Sequence, residues 1–228
     1  LVLKKKVIHG RRQPIVYEQP KSSVAEQYRN IRTNIEFASV DKRICSLMVT
    51  SANASEGKTT TAVNIAIAFA QQGKKVLLID ADLRKPVLHQ MMQVDNSFGL
   101  TSVLMRSKNL EFCVRHTKFE NLEILPCGPV PPNPSELLGA RSMKDLLSEA
   151  YGTYDLLIFD TAPILLVTDA KIMANQCDAS VLVIRSGITE KGSALKAKKE
   201  LDSAEGKLLG VILNDKETQG EEYYYYGL

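Results

Sequence analysis

The stretch Thr50-Ser-Ala-Asn-Ala-Ser-Glu-Gly-Lys-Thr-Thr60 constrains the fold more than any other part of the chain. It contains Ala52-x-x-x-x-Gly57-Lys58-Thr59, the pattern of a phosphate-binding loop with alanine in place of the first glycine. The apolar run Ile44-Cys-Ser-Leu-Met-Val49 precedes it and has the length of a buried strand. Helix-forming residues Thr61 to Ala70 follow and stop near Gly73. Strand, loop and helix in that order are the context such a loop requires.

Each position has a physical role to fill. Gly57 lacks a Cβ, so backbone there can approach an anion closely. The N–H groups of Asn53, Ala54, Ser55, Glu56, Gly57 and Thr60 would line the cradle, and the positive end of the following helix favours negative charge. Lys58 would reach the β- and γ-phosphates of a nucleotide, and the Thr59 hydroxyl would meet Mg2+.

From Ile44 onward strands and helices alternate. Strands are expected at Lys75–Ile79, Leu122–Leu125, Tyr154–Phe159, Ala179–Ile184 and Lys207–Leu213. Helices are expected over 168–175 and 189–204, and one continuous helix over 135–151, with Asn133-Pro134 at its start. Ahead of the loop, Ser23-Val-Ala-Glu26 fits a capping box. It opens a helix whose apolar stripe is Val24, Tyr28, Ile31, Ile35 and Ala38. Unbroken apolar strands alternating with helices define an α/β fold, a mostly parallel sheet with helices on both faces. The expected division is a basic, irregular arm at 1–20, a single P-loop NTPase-like domain at 21–214 that opens with the helix at 21–38, and a tyrosine-rich tail at 215–228.

In such sheets ligands bind beyond the carboxyl ends of the strands. The loop at 52–59, Asp80 and Asp82, Asp160 and Asn214 all fall at such ends. Asp160 fits a magnesium-linked carboxylate. Asp80 and Asp82 lie one residue apart, so an extended backbone would aim both to one side, where a cation or a shared proton is needed. Either carboxylate could then accept a proton from a substrate. Arg84 is a candidate phosphate contact. Tyr223, Tyr224, Tyr225 and Tyr226 crowd the terminus beside Glu221 and Glu222. A phenol becomes a phosphoryl acceptor once a carboxylate takes its proton. Tyr223 lies nine positions after Asn214, a reach of up to about 30 Å, enough to enter an active site.

Composition excludes several classes. The chain has 228 residues, 44% of them hydrophobic, and a net charge of +3. It can build a core, and its charge alone makes no case for nucleic acid. The basic cluster Lys4, Lys5, Lys6, Arg11 and Arg12 reads as a solvated arm or as a contact for an anionic membrane surface. The four cysteines show no Cys-x-x-Cys spacing and read as reduced thiols of a cytoplasmic protein. No signal peptide and no apolar run of about 18 residues is visible, so membrane contact is expected to be peripheral or through a partner.

Together these motifs resemble the bacterial tyrosine kinases of exopolysaccharide and capsule synthesis, in the cytoplasmic form found in Gram-positive bacteria. The resemblance rests on the loop Ala52–Thr59, Leu77-Leu-Ile-Asp-Ala-Asp-Leu-Arg-Lys-Pro86, Ile158-Phe-Asp-Thr-Ala-Pro163, Gly128–Leu138 and the tyrosine tail. It spans nearly the whole chain from about Pro20. Ala162 departs from it, standing where proline is common.

The resemblance implies that Lys58 holds the phosphates of ATP, that Thr59 and Asp82 hold Mg2+, and that Asp160 acts on the metal through water. Asp80 is the candidate base, with Asp82 the alternative, and Asn214 is similar to an adenine contact. The run Glu26 to Ile35 resembles a ring-forming helix, with Glu26 of one subunit facing Arg29 and Arg32 of the next. Each tail would then be phosphorylated in the adjacent active site. Implied partners are a membrane-anchored activator that recruits the kinase to the inner face of the membrane, protein-tyrosine substrates and a cognate tyrosine phosphatase. The rival reading is an ATPase switch of the MinD/ParA type that binds membrane or DNA. Asn53, where those proteins carry a second lysine, and a terminus of tyrosines speak against it.

Overall fold

The computed structural model describes residues 14–38 and 43–216. The lysine-rich start of the chain and Tyr223–Tyr226 lie outside the described residues. The elements in chain order are α1 (Ile15–Glu18), α2 (Ser23–Phe37), β1 (Ser46–Ser51), α3 (Lys58–Ala70), β2 (Val76–Ala81), α4 (Leu88–Met92), α5 (Leu100–Leu104), α6 (Leu110–Cys113), β3 (Arg115–His116), β4 (Leu122–Leu125), α7 (Pro134–Leu138), α8 (Arg141–Tyr151), β5 (Leu156–Thr161), α9 (Asp169–Ala174), β6 (Ala179–Arg185), α10 (Lys191–Asp202) and β7 (Lys207–Asn214). One sheet runs β3-β4-β2-β5-β1-β6-β7. It is parallel throughout except for the short antiparallel β3–β4 pairing at one edge.

The apolar strands feed two cores. Successive side chains of a strand point to opposite faces, so Leu47, Val49, Val76, Leu78, Leu156 and Ile158 pack under α1–α4. Met48, Leu77, Ile79, Leu157 and Phe159 pack under α5–α10. A strand buried on both faces has no polar alternation, which is why these runs read as continuous apolar segments. α3 is sandwiched between the sheet and the pair α1–α2, and nearly all of its residues are buried.

Four local expectations differ from the structure. The segment read as irregular up to residue 20 forms α1, whose Val16 is fully buried and donates its N–H to Asn64 Oδ1 at 3.0 Å. The folded body therefore includes residues before 21. The cap of α2 is Ser22, not Ser23; its hydroxyl accepts the Ala25 N–H. The stripe on α2 buries Ala25, Tyr28 and Ile35, and leaves Val24 40% exposed. The helix expected over 135–151 is two helices, α7 and α8, divided at Gly139-Ala140, where α8 takes Ala140 as an extended cap.

Candidate active site

β1 ends in the loop that opens α3. Within it Ser55 takes φ 63° and Gly57 takes φ 93°. The left-handed φ favours glycine at 57, and a Cβ there would lie 2.1 Å from Asn214 Nδ2, so that side chain would have to move. Asn214, the last residue of β7, donates that amide to the Glu56 carbonyl at 3.0 Å. Glu56 is 2% exposed and laces the loop together. Its carboxylate accepts from the Asn53 N–H at 3.0 Å, from Asn53 Nδ2 at 3.3 Å and from the Thr189 hydroxyl at 2.6 Å. Ala54, Ser55 and Thr60 are exposed on the open side.

Strand parity brings the carboxylates to this loop. Asp160 shares the face of Leu156 and Ile158, the face that α3 covers, and so meets the first residues of α3. Its Oδ2 accepts the Thr59 hydroxyl at 2.6 Å, and its Oδ1 lies 3.3 Å from Lys58 Nζ. The same ammonium lies 3.0 Å from Asp82 Oδ2. Lys58, Thr59, Asp82 and Asp160 thus form one contiguous, largely buried cluster.

Asp80 and Asp82 are placed differently from each other. Asp80 ends up opposite Asp160 in the β2–β5 ladder, two like charges on neighbouring strands. Its Oδ2 accepts the Leu88 N–H at the start of α4, and its Oδ1 is buried without a partner. Burial first, and then the Asp160 charge, push the Asp80 carboxyl well above the usual carboxylate range. Burial likewise raises Asp160, against the pull of Lys58 and Thr59. Burial acts to lower Lys58, but Asp160 and Asp82 outweigh it and hold the ammonium above its ordinary value.

Arg84 does not join this cluster. Its Nε and Nη2 grip Asp169 at 2.8 and 3.0 Å. Glu26 and Arg29 pair within one chain at 2.7 Å, and Arg32 donates to the Ala68 carbonyl at 3.1 Å. Thr189 and Asp169 escape a reading by motif, and Ser135 is read only as part of the stretch Gly128–Leu138, because each acts through a partner more than thirty residues away. The one local signal was Asp169 at the head of an expected helix.

Oxygen donors of this kind suit Mg2+. The Lys58 ammonium already lies between two carboxylates as a resident cation, and Thr59 adds a hydroxyl. Among the described residues no three His, Cys, Asp or Glu side chains converge as a metal cage. Mg2+ is commonly held by one or two carboxylates with substrate phosphates completing its shell.

The fold and the loop at the head of α3 define a P-loop NTPase-like domain, and residues 48–201 match the AAA domain family. The chain is 55% identical to the tyrosine-protein kinase YwqD of Bacillus subtilis, over 95% of this chain and 92% of that protein. It is 39% identical to the putative tyrosine-protein kinase CapB of Staphylococcus aureus, over 93% and 94%. It superposes on the solved chimerical protein CapA2B2 with TM-score 0.85 and 39% identity, covering 88% of each chain. The kinase domain of the Escherichia coli tyrosine kinase ETK gives TM-score 0.87 at 34% identity, over 95% of this chain and 85% of that one. The chain belongs to the bacterial tyrosine-protein kinase family.

Proposed function

We propose that this kinase transfers the γ-phosphoryl group of ATP to tyrosine hydroxyls, beginning with Tyr223–Tyr226 of a neighbouring subunit in a ring, and thereby regulates exopolysaccharide or capsule synthesis. The observation that carries the reading is Lys58 at the head of α3, held 3.0 Å from Asp82 and 3.3 Å from Asp160 with Thr59 beside them.

Loop N–H groups and the N-terminus of α3 bind the phosphates, and Lys58 turns from its carboxylates to the β- and γ-oxygens. Thr59 and Asp82 would hold Mg2+ directly and Asp160 through water; the ion, when bound, neutralises charge on the transferred group. Asn214 anchors the loop through Glu56, and its amide would contact the adenine base. Asp80, or Asp82 in its place, would accept the phenolic proton once ionised. The phenolic oxygen then bonds to the γ-phosphorus as the bond to the β,γ-bridging oxygen breaks, and ADP leaves.

Two comparisons support a membrane-anchored activator. One relative was solved as a chimera named for CapA and CapB. The match to Wzc of Salmonella typhi, 34% identical, spans 29% of that longer protein. Among the described residues no helix is long and apolar enough to cross a membrane. A kinase of this kind would be recruited by its partner.

Each phosphate adds about −1.5 to −2 charges, so a fully modified tail moves the subunit from +3 to a net negative charge and should open the ring. The test is incubation with ATP and Mg2+, with and without an activator's cytoplasmic segment, followed by mass spectrometry of the tail. Phosphotyrosine that disappears in Lys58→Met is expected. An unlabelled tail under every condition, or labelling that survives Lys58→Met, rejects the proposal. An ATPase switch would hydrolyse ATP without labelling tyrosine.

A further inference from the structure

Asp82 is the first residue past the sheet. The β2–β5 ladder ends at Ala81 paired with Thr161, so no strand hydrogen bond fixes the backbone beyond Ala81. Asp82 instead closes a short turn, its Oδ1 accepting the Lys85 N–H at 3.1 Å while its Oδ2 faces Lys58. The turn contains Arg84.

Arg84 leaves this turn and reaches Asp169 at the start of α9. The side chain of Asp169 has no solvent exposure, whereas that of Arg84 is 41% exposed. Two parallel hydrogen bonds join them, Nε to Oδ2 at 2.8 Å and Nη2 to Oδ1 at 3.0 Å. Ser135 of α7 adds its hydroxyl to Asp169 Oδ1 at 2.6 Å. A forked pair of this kind fixes direction as well as distance. It ties the segment after β2 to the segment after β5, the strand that carries Asp160.

We infer that Arg84 and Asp169 form a positioning clamp that holds the Asp82 carboxylate at its distance from Asp160, and that Arg84 serves this clamp and not a phosphate. The inference rests on the proposed nucleotide and metal site. Without the fork, the turn keeps its Lys85 bond and Asp82 keeps its ion pair with Lys58; once Lys58 turns to a nucleotide's phosphates, only the Lys85 bond is left to hold Asp82 where a cation needs it. Groups hydrogen-bonded directly to a metal ligand typically change metal affinity by about 10- to 100-fold when removed; the fork acts on Asp82 through the backbone of its turn, so the low end of that range is expected.

The test is Mn2+ binding, followed by electron paramagnetic resonance on the full chain with a non-hydrolysable ATP analogue. Arg84→Gln and Asp169→Asn should each weaken Mn2+ by about tenfold. The double variant should be no worse than the weaker single, because both changes break one device. Arg84→Lys should behave like Arg84→Gln, since it keeps the charge and loses the fork. Binding of the analogue without metal should be unchanged in all four.

Unchanged Mn2+ affinity in Arg84→Gln, or additive losses in the double variant, overturns the clamp. So does metal-free analogue binding that falls in Arg84→Gln and holds in Asp169→Asn, which would put Arg84 on a phosphate. If Asp169→Asn fails to fold, the partly exposed Arg84 variants decide alone. A wild-type protein that binds neither analogue nor Mn2+ removes the underlying reading as well; wild-type binding with unaffected variants removes the clamp only.

Discussion

Gly57→Ala tests how the loop is built, because two separate costs meet at one Cβ. The first is conformational. Gly57 has φ 93° and ψ 17°, and an L-residue in left-handed backbone costs about 1–2 kcal/mol. The second is steric. The added Cβ would fall 2.1 Å from Asn214 Nδ2 and 3.1 Å from its Cγ. Asn214 must swing away and give up its 3.0 Å bond to the Glu56 carbonyl, a loss of about 0.5–1.5 kcal/mol. Together the variant should lose about 1.5–3.5 kcal/mol, or about 3–14 °C of Tm for a domain of this size. Asn214→Ala removes the obstacle, so only the hydrogen bond is lost, about 1 kcal/mol. In the double variant that bond is lost once, not twice. The two changes should therefore fall short of additivity by about 1 kcal/mol. Urea denaturation of the three variants, read by fluorescence and circular dichroism with a common m-value, gives the cycle. Strict additivity, or Gly57→Ala within about 0.5 kcal/mol of wild type, would refute the account of the Gly57–Asn214 contact.

The buried and paired side chains carry further expectations. Asp80 is held above the carboxylate range by burial and by Asp160, and its folded value exceeds its unfolded one. Its protonated form is thus favoured by folding, and that stability is lost as pH rises from the unfolded value through the folded one. Asp80→Asn should accordingly gain stability relative to wild type as pH rises above the ordinary carboxylate range of about 4, measured by thermal melts; a constant difference rejects the assignment. If Asp80 is the base, kcat/KM for tyrosine phosphorylation should fall on its acidic side above the ordinary carboxylate range, and a profile flat down to about pH 5 excludes it. Cys113, Cys127 and Cys177 are buried and Cys45 is partly exposed, with Cys127 pushed up to about 12 by burial and then by Asp80 and Asp82. A thiol reagent at about pH 8 should modify Cys45 rapidly and Cys127 only on unfolding. The Glu26–Arg29 pair is exposed, so Glu26→Ala should change monomer stability by no more than about 0.5 kcal/mol. A smaller mass by light scattering would then report the ring interface itself, and an unchanged mass would remove Glu26 from it.

Much of the fold was legible because burial on both faces leaves a strong signature. Leu77-Leu-Ile79 and Leu157-Ile-Phe159 carry no polar interruption, and the structure sends alternate members into the two cores. Short elements were not legible. α4, α5 and α6 have five residues or fewer, too few for a helical period to register. The break between α7 and α8 falls at Gly139-Ala140, where one glycine within a helical pattern is an ambiguous signal. α1 was hidden for another reason. Its place is set by Asn64, a polar residue buried in the middle of α3 that takes the Val16 N–H, and nothing near residue 16 announces that partner.

The site divides along the same line. Lys58, Thr59, Asp82 and Asp160 could be picked out because the loop pattern and the strand ends restrict where they fall, and the structure joins them through contacts of 3.3 Å or less. Arg84 shows what a motif leaves undecided. Its sequence position, two residues after Asp82, is equally compatible with a phosphate and with a structural carboxylate. The carboxylate it meets belongs to α9, eighty-five residues on. The sheet is what brings the two together: β2 and β5 are neighbours although β3 and β4 intervene in the chain. Chemistry that depends on a strand end can be located from the strand alone. Chemistry that depends on which strands are adjacent requires the topology, and the orientation of Asp82 is of the second kind.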